Sequence, residues 1–227
     1  VVYCKATHNV DDETKLEINE NGRLTGVSAG VVYGDNASMD CCIVNRETLL
    51  EIIDHYQAAD YLDGQIDGKT VGVGGSITVL EMGLAERLRT HNTLHWHWTG
   101  DGDQAAAATC QVYLSSVNGA AETGELINID GTGNRVASTI FGHEEVYFIV
   151  GVNKLAPDYD AALWRARNIA APKNAQRLGR KTPCAAKGDR CYDCKSPERI
   201  CRGMVTLWGP MLGMEGEVLL VDEDLGL

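Results

Sequence analysis

Over roughly the first 40 residues apolar and polar positions mix without a sustained period; two short alternating stretches, KLEIN and GVVYG, are compatible with strands. From Met39 the pattern sharpens. Cys41–Val44 is a short apolar run, and Asn45 then caps a helical pattern with Leu49, Ile52, Ile53 and Tyr56 on one face. Strand–loop–helix units follow. Thr70–Val73 predicts a strand, Gly74-Gly75-Ser76 a tight turn, and Thr78–Leu88 a helix whose stripe is Leu80, Leu84 and Leu88. Gln111–Leu114 predicts a strand opening into a long loop, Asn118–Arg135, before a short helix through Val136–Phe141. Within that loop ETGELINID resembles a small hairpin. Glu145–Val150 is a continuous apolar run, as expected for a parallel strand covered on both faces, and a helix follows from Asp158 to about Ala171. MVTLW and EVLLVDE, separated by glycines, read as a closing hairpin. Strands alternating with helices predict one α/β domain with a mostly parallel sheet.

Composition narrows the function classes. The 227 residues, 44% hydrophobic and 23% charged, suit one domain with a substantial core. No apolar run reaches the ~18–20 residues that a membrane helix needs. The opening VVYCKATHNVDDETK lacks a basic region followed by an apolar one, so no signal peptide is expected, although the first residue is not Met. A net charge of −12 argues against nucleic acid as the main partner. That charge is unevenly spread. Arg165 to Arg202 carries eleven Lys/Arg against three acids, a net of +8, so the remainder is −20. The basic segment reads either as a solvated face or as an electropositive rim around an anion.

The same segment holds four of the eight cysteines, Cys184, Cys191, Cys194 and Cys201, spaced C-x6-C-x2-C-x6-C. A disulfide framework suits small secreted domains without enough core, which this chain is not. Four thiolates suit tetrahedral zinc or a four-iron cluster equally by count, and the spacing does not choose between them. Surrounding positive charge favours the anionic iron–sulfur cluster, with zinc as the alternative. If Cys184 does not ligate, a three-cysteine site leaves an open metal position. Clustered thiolates in a chain of this size point to a cytoplasmic protein. Cys41, Cys42 and Cys110 read as buried strand cysteines. His91, His95 and His97 in THNTLHWHW lack a clear third metal partner, and with Trp96 and Trp98 they read as packing or surface residues.

Ligands of open parallel sheets collect at the carboxyl ends of strands. Three loops qualify. In VGVGGSITVLEMG, Gly74, Gly75, Ser76 and Thr78 make a turn suited to a phosphate or carboxylate, with Glu81 one helical turn on; the loop is neither a Walker loop nor a GxGxxG fingerprint. In the second loop Asn118, Asn128, Gly131 and Asn134 offer polar contacts, Asp130 a base, and Arg135 a carboxylate clamp. The third, GVNK, places Asn153 and Lys154 at a strand end. Glu81, Asp130 and Lys154 are the candidates for proton transfer.

VGVGGSITVLEMGL, GELINIDGTGNRVASTIFG, GVNKLAPDYDAALWRARNIAAPKNAQRL, KTPC…CYDCKSPERIC and VLLVDEDLGL together resemble the LUD domain, over residues 39–227. Residues 1–38 lie outside that resemblance. It implies a Rossmann-like α/β fold similar to ribose-phosphate isomerase and CoA transferases, in which the GGSIT turn resembles the isomerases' phosphate-binding turn. It also implies a small anionic substrate and a part in oxidising L-lactate or a related 2-hydroxy acid, beside iron–sulfur partner proteins. The cysteine tail, residues 182–201, resembles that of shorter stand-alone members and is absent from many lactate-utilisation protein C sequences. Three functions remain: an oxidoreductase component with an iron–sulfur cluster, a redox-neutral isomerase or CoA/acyl transferase with structural zinc, or a ligand-binding scaffold subunit. A homo-oligomer is compatible with each.

Overall fold

The computed structural model describes residues 58–100 and 102–227, together with three earlier strands, Val2–Lys5 (β1), Lys15–Ile18 (β2) and Leu24–Ser28 (β3). The KLEIN strand is present as β2. The GVVYG stretch, the strand and helix expected from Cys41 to Tyr56, and the expectations for Cys41 and Cys42 lie outside the described residues.

The main sheet has the order β1-β12-β9-β6-β4-β5. Its parallel members are β4 (Thr70–Val73), β5 (Thr93–His95), β6 (Val112–Ser115), β9 (Glu145–Gly151) and β12 (Glu215–Val221), and β1 adds an antiparallel edge. The sheet starts in the inner strand β4, runs outward to β5, then reverses to β6, β9 and β12. The carboxyl ends of β4 and β6 therefore flank the point where loops diverge to opposite faces and leave a crevice. Val71, Val73, Val112, Leu114, Ile149 and Leu219 are buried with the helices' Leu84 and Leu88 in one core cluster. Each such side chain contributes on the order of 1.5–3 kcal/mol by leaving water.

A smaller sheet, β10-β7-β8-β11, was not expected as a unit. A hairpin is present but begins earlier than ETGELINID: β7 (Gly119–Ala121), just before that stretch, pairs antiparallel with β8 (Leu126–Asp130) within it. The loop expected over residues 118–135 therefore carries two strands, joined by β10 (Leu155–Ala156) and β11 (Gly203–Leu207). The closing hairpin is corrected. MVTLW, as β11, pairs with β8, whereas EVLLVDE, as β12, pairs with β9 and β1, so the two strands belong to different sheets.

After the first described helix, α1 (Ala58–Gln65), the helix expected over Thr78–Leu88 is two short helices, α2 (Ile77–Glu81) and α3 (Leu84–Leu88), broken at Gly83 with φ +64°. Leu84 and Leu88 are buried, but the break rotates Leu80 out to solvent. The helix expected to end near Ala171 runs on. Tyr159–Arg165 continues through a π-helical turn, Ala166–Ala170, into Ala171–Arg177. Asp158 caps its start by accepting from the Ala161 N–H.

Candidate functional site

The three loops chosen from the sequence meet in one cleft of about 410 Å³. β4 delivers Gly75, Ser76 and Thr78, β6 delivers Ser116 and Asn118, and the turn after β9 delivers Lys154. The glycines are steric requirements here. A Cβ on Gly74 would lie 2.8 Å from the Tyr113 hydroxyl, and one on Gly75 would press 3.2 Å against Trp98. Ser76 caps α2 by accepting from the Val79 N–H at 3.2 Å.

Lys154 is the centre of the arrangement. It is 3% exposed, and its Nζ donates to Thr78 Oγ1 at 2.6 Å and Ser116 Oγ at 2.9 Å. Burial, helped by the positive charges of Arg165 and Arg135, lowers its pKa to about 7, against an opposing pull from Glu81. Gly226 passes directly over this group: a Cβ there would lie 2.6 Å from Thr78 Oγ1 and 3.0 Å from Nζ.

Arg135 also lines the cleft. Its Nη2 donates to Asn118 Oδ1 (3.1 Å) and the Ile129 carbonyl (2.6 Å), with Asp130 at 3.9 Å, so the guanidinium is held in place. Burial pushes its pKa down while the Asp130 charge pulls it back up. Asp130 faces the cleft, but both oxygens are engaged, Oδ1 by the Thr132 N–H and Oδ2 by the Val136 N–H. It is organised as a loop staple. Gly131 and Asn134 line the wall.

Four of the expected residues take other positions, and the first, Gly74, lies off the cleft wall against Tyr113. Glu81 is exposed and accepts the Gly226 N–H at 2.6 Å, holding the 225–227 segment. Asn153 stands behind the cleft, accepting from the Leu225 N–H through Oδ1 and from Arg165 Nε through its carbonyl. Asn128 is 1% exposed on β8, outside the cleft wall, and neither amide atom has a hydrogen-bond partner among the described residues.

Other cleft residues escaped the sequence reading. Ser116 follows β6 in VYLSS, and its hydroxyl at a strand end was the available signal. Arg165, read as one charge of a basic segment, stands behind the cleft wall, 8% exposed, and donates to the Asn118, Asn153 and Leu227 carbonyls. Trp98, expected only to pack, stacks on buried Trp96 and lies under Arg177 at 5.3 Å on the cleft wall. His97 lines the same wall, whereas His91 is tied to Thr90 and the Ile66 carbonyl.

Cys184, Cys191, Cys194 and Cys201 surround a second cavity of about 260 Å³. It adjoins the cleft, with Ile129, Ala171, Arg199, Ile200 and Arg202 forming walls of both. All four thiols are free and half-buried. Cys191 Sγ accepts the Asp193 N–H (3.3 Å), Cys201 Sγ accepts Arg199 Nη2 (3.4 Å), and Cys184 Sγ lies 3.2 Å from Thr182 Oγ1. The π turn helps position this segment, because Asn168 Oδ1 within it accepts the Cys191 N–H. Among the described residues no three His, Cys, Asp or Glu side chains stand close enough to hold a single metal ion. Cys110 is buried as expected, and burial pushes its thiol pKa up.

With this geometry in place, comparison of the sequence with protein families is decisive: the LUD domain model matches residues 43–215. The chain belongs to the LUD domain family. Membership implies a function related in general to lactate utilisation. No curated protein and no solved structure matches the chain. Within this LUD protein no described helix is long and apolar enough to cross a membrane.

Proposed function

We propose that the cleft binds the carboxylate of L-lactate or a related small 2-hydroxy acid, and that Lys154 exchanges the proton of its C2 hydroxyl as the acid is oxidised. The observation that carries this reading is the buried Lys154 amine on Thr78 and Ser116 at the bottom of a cationic cleft. A pKa near 7 gives the amine both protonation states at neutral pH, which suits it to accept the proton and to return it. Arg135, fixed by Asn118 and Ile129, supplies positive charge for the carboxylate. Oxidation to the 2-oxo acid also removes the C2 hydrogen with two electrons, which a redox partner protein with an electron-accepting cofactor would take up.

The donor set of the second cavity fits an iron–sulfur cluster. The four cysteines line one cavity of about 260 Å³ in the basic segment, and positive charge around four thiolates favours an anionic cluster over zinc. Cys184, Cys191, Cys194 and Cys201 would hold the cluster, which supplies one-electron transfer when bound. N–H groups of Asp193 and Arg199 would stabilise the thiolates, and redox partner proteins would connect to the exposed side of this segment.

Calorimetric titration with L-lactate and pyruvate tests the cleft. Lys154→Met should weaken pyruvate binding by on the order of 10–100-fold, the loss expected for a charge-assisted hydrogen bond; unchanged affinity would remove Lys154 from the site. Anaerobic purification with assay of iron, sulfide and zinc tests the cysteines. Brown protein with about four irons per chain would support the cluster, whereas colourless protein with one zinc would move the reading to a redox-neutral isomerase or transferase.

A further inference from the structure

The cleft carries more positive charge than a monocarboxylate uses. At its bottom are Lys154 and Arg135; at its mouth stand Arg177, Arg180, Arg199 and Arg202, against Glu198 and Asp130 as the carboxylates of the wall. Asp130 is consumed by backbone N–H groups, and Glu198 accepts the Lys181 N–H. Arg199 is turned toward the cysteine segment, where it donates to the Cys194 and Cys201 carbonyls and to Cys201 Sγ. Arg177, Arg180 and Arg202 form no ion pair among the described residues. Arg177 is braced by Asn174 Oδ1 on one side and by the Trp98 ring at 5.3 Å on the other, so its guanidinium is held without being neutralised. Arg180 is exposed, with no side-chain hydrogen bond among the described residues. Both come from the end of the helix Ala171–Arg177 and the turn after it, whereas Lys154 comes from the turn after β9 and Arg135 from the short helix Asn134–Ser138. The two groups of cations thus come from different segments of the chain and line one cleft of about 410 Å³.

Resting on the carboxylate reading of the inner group, we infer that the ligand carries a second anionic group, a phosphate ester, which the outer arginines receive at the cleft mouth. The ligand class is a phosphorylated hydroxy acid. A phosphate dianion with three acceptor oxygens matches planar guanidinium donors better than a second monocarboxylate would, and it uses charge that the inner site leaves unpaired.

The test is calorimetric titration at low salt with two probes that differ only in the ester, racemic glycerate and racemic 3-phosphoglycerate. The phosphorylated acid should bind at least ~10-fold more tightly, the scale of one or two charge-assisted hydrogen bonds. In the Arg177→Gln/Arg180→Gln protein the ratio of the two affinities should fall toward one. If loss of the Trp98 contact unfolds that double variant, as circular dichroism would show, Arg180→Glu alone should still lower the ratio. Equal affinities in the wild type, with glycerate binding weakened by Lys154→Met, would overturn the outer site and leave the inner reading standing. Tight 3-phosphoglycerate binding indifferent to both arginine changes would also overturn it. Failure of both acids to bind would remove the inner and outer sites together.

Discussion

At the scale of single residues, Lys154 should be visible in the stability of the protein as well as in binding. Its folded pKa is lowered to about 7, while an unfolded lysine titrates near ~10.4. Between those values the unfolded chain binds more protons than the folded one, so stability rises with pH across the window. Below about 7 both states are protonated at this site and the cost of burying the ammonium is fully present. Lys154→Met removes the titrating group, and Thr78 and Ser116, 3.3 Å apart, can satisfy each other. The stability difference between Lys154→Met and wild type, from urea unfolding, should therefore be most favourable to the variant near pH 6.5. It should shrink by on the order of 3 kcal/mol by pH 9.5. A pH-independent difference would mean that Lys154 is not held in a desolvated site. Tyr113, pushed up to about 12 by burial, stays protonated throughout that range and does not confuse the reading.

At the scale of elements, the contact between the second loop and the cysteine segment joins the two cavities. A Cβ on Gly131 would lie 2.8 Å from the Ile200 carbonyl oxygen and 3.3 Å from its Cα, and the Arg202 N–H donates to the Asp130 carbonyl. Backbone meets backbone there, so the clash cannot be relieved by a side-chain rotation. Gly131→Ala should displace residues 200–202, and alkylation of Cys201 by iodoacetamide should accelerate several-fold while far-ultraviolet circular dichroism is retained. Unchanged alkylation would show the contact to be slack. This coupling was not legible in the sequence, and the reason is range. β8 and β11 are joined across more than seventy positions, and nothing in GMVTL names its partner. β7 hides for a different reason. Its Gly-Ala-Ala is chosen for close approach, with a Cβ on Gly119 falling 2.5 Å from the Ala162 carbonyl, so it lacks the branched residues that announce a strand. By contrast β4 and β9 declared themselves as apolar runs, because parallel strands are covered on both faces, and their ends located Thr78 and Lys154. Arg165 did not declare itself, since an arginine in an amphipathic helix looks like a solvated charge until the fold buries it.

At the scale of the whole molecule, the net charge of −12 does not describe the lining of the cleft. The segment from Arg165 to Arg202 is +8 and contributes the mouth of the cleft, while the remainder is −20. Charges beyond a Debye length, about 10 Å at 0.1 M salt, act weakly on an approaching ligand. A small anion that reaches the mouth therefore feels mainly the local arginines; the distant acidic surface repels it chiefly at low ionic strength. Two opposing salt effects follow, and the local one should win because the rim arginines lie within contact range of the ligand. Stopped-flow measurement of 3-phosphoglycerate association, on the basis of the outer site, should show the rate constant falling several-fold between about 20 and 500 mM salt. Arg177→Gln/Arg180→Gln should flatten or invert that dependence, because the acidic remainder then dominates the field. A wild-type rate that instead rises with salt would show the net charge governing approach, and the basic segment would then be a solvated face whose arginines do not reach the ligand.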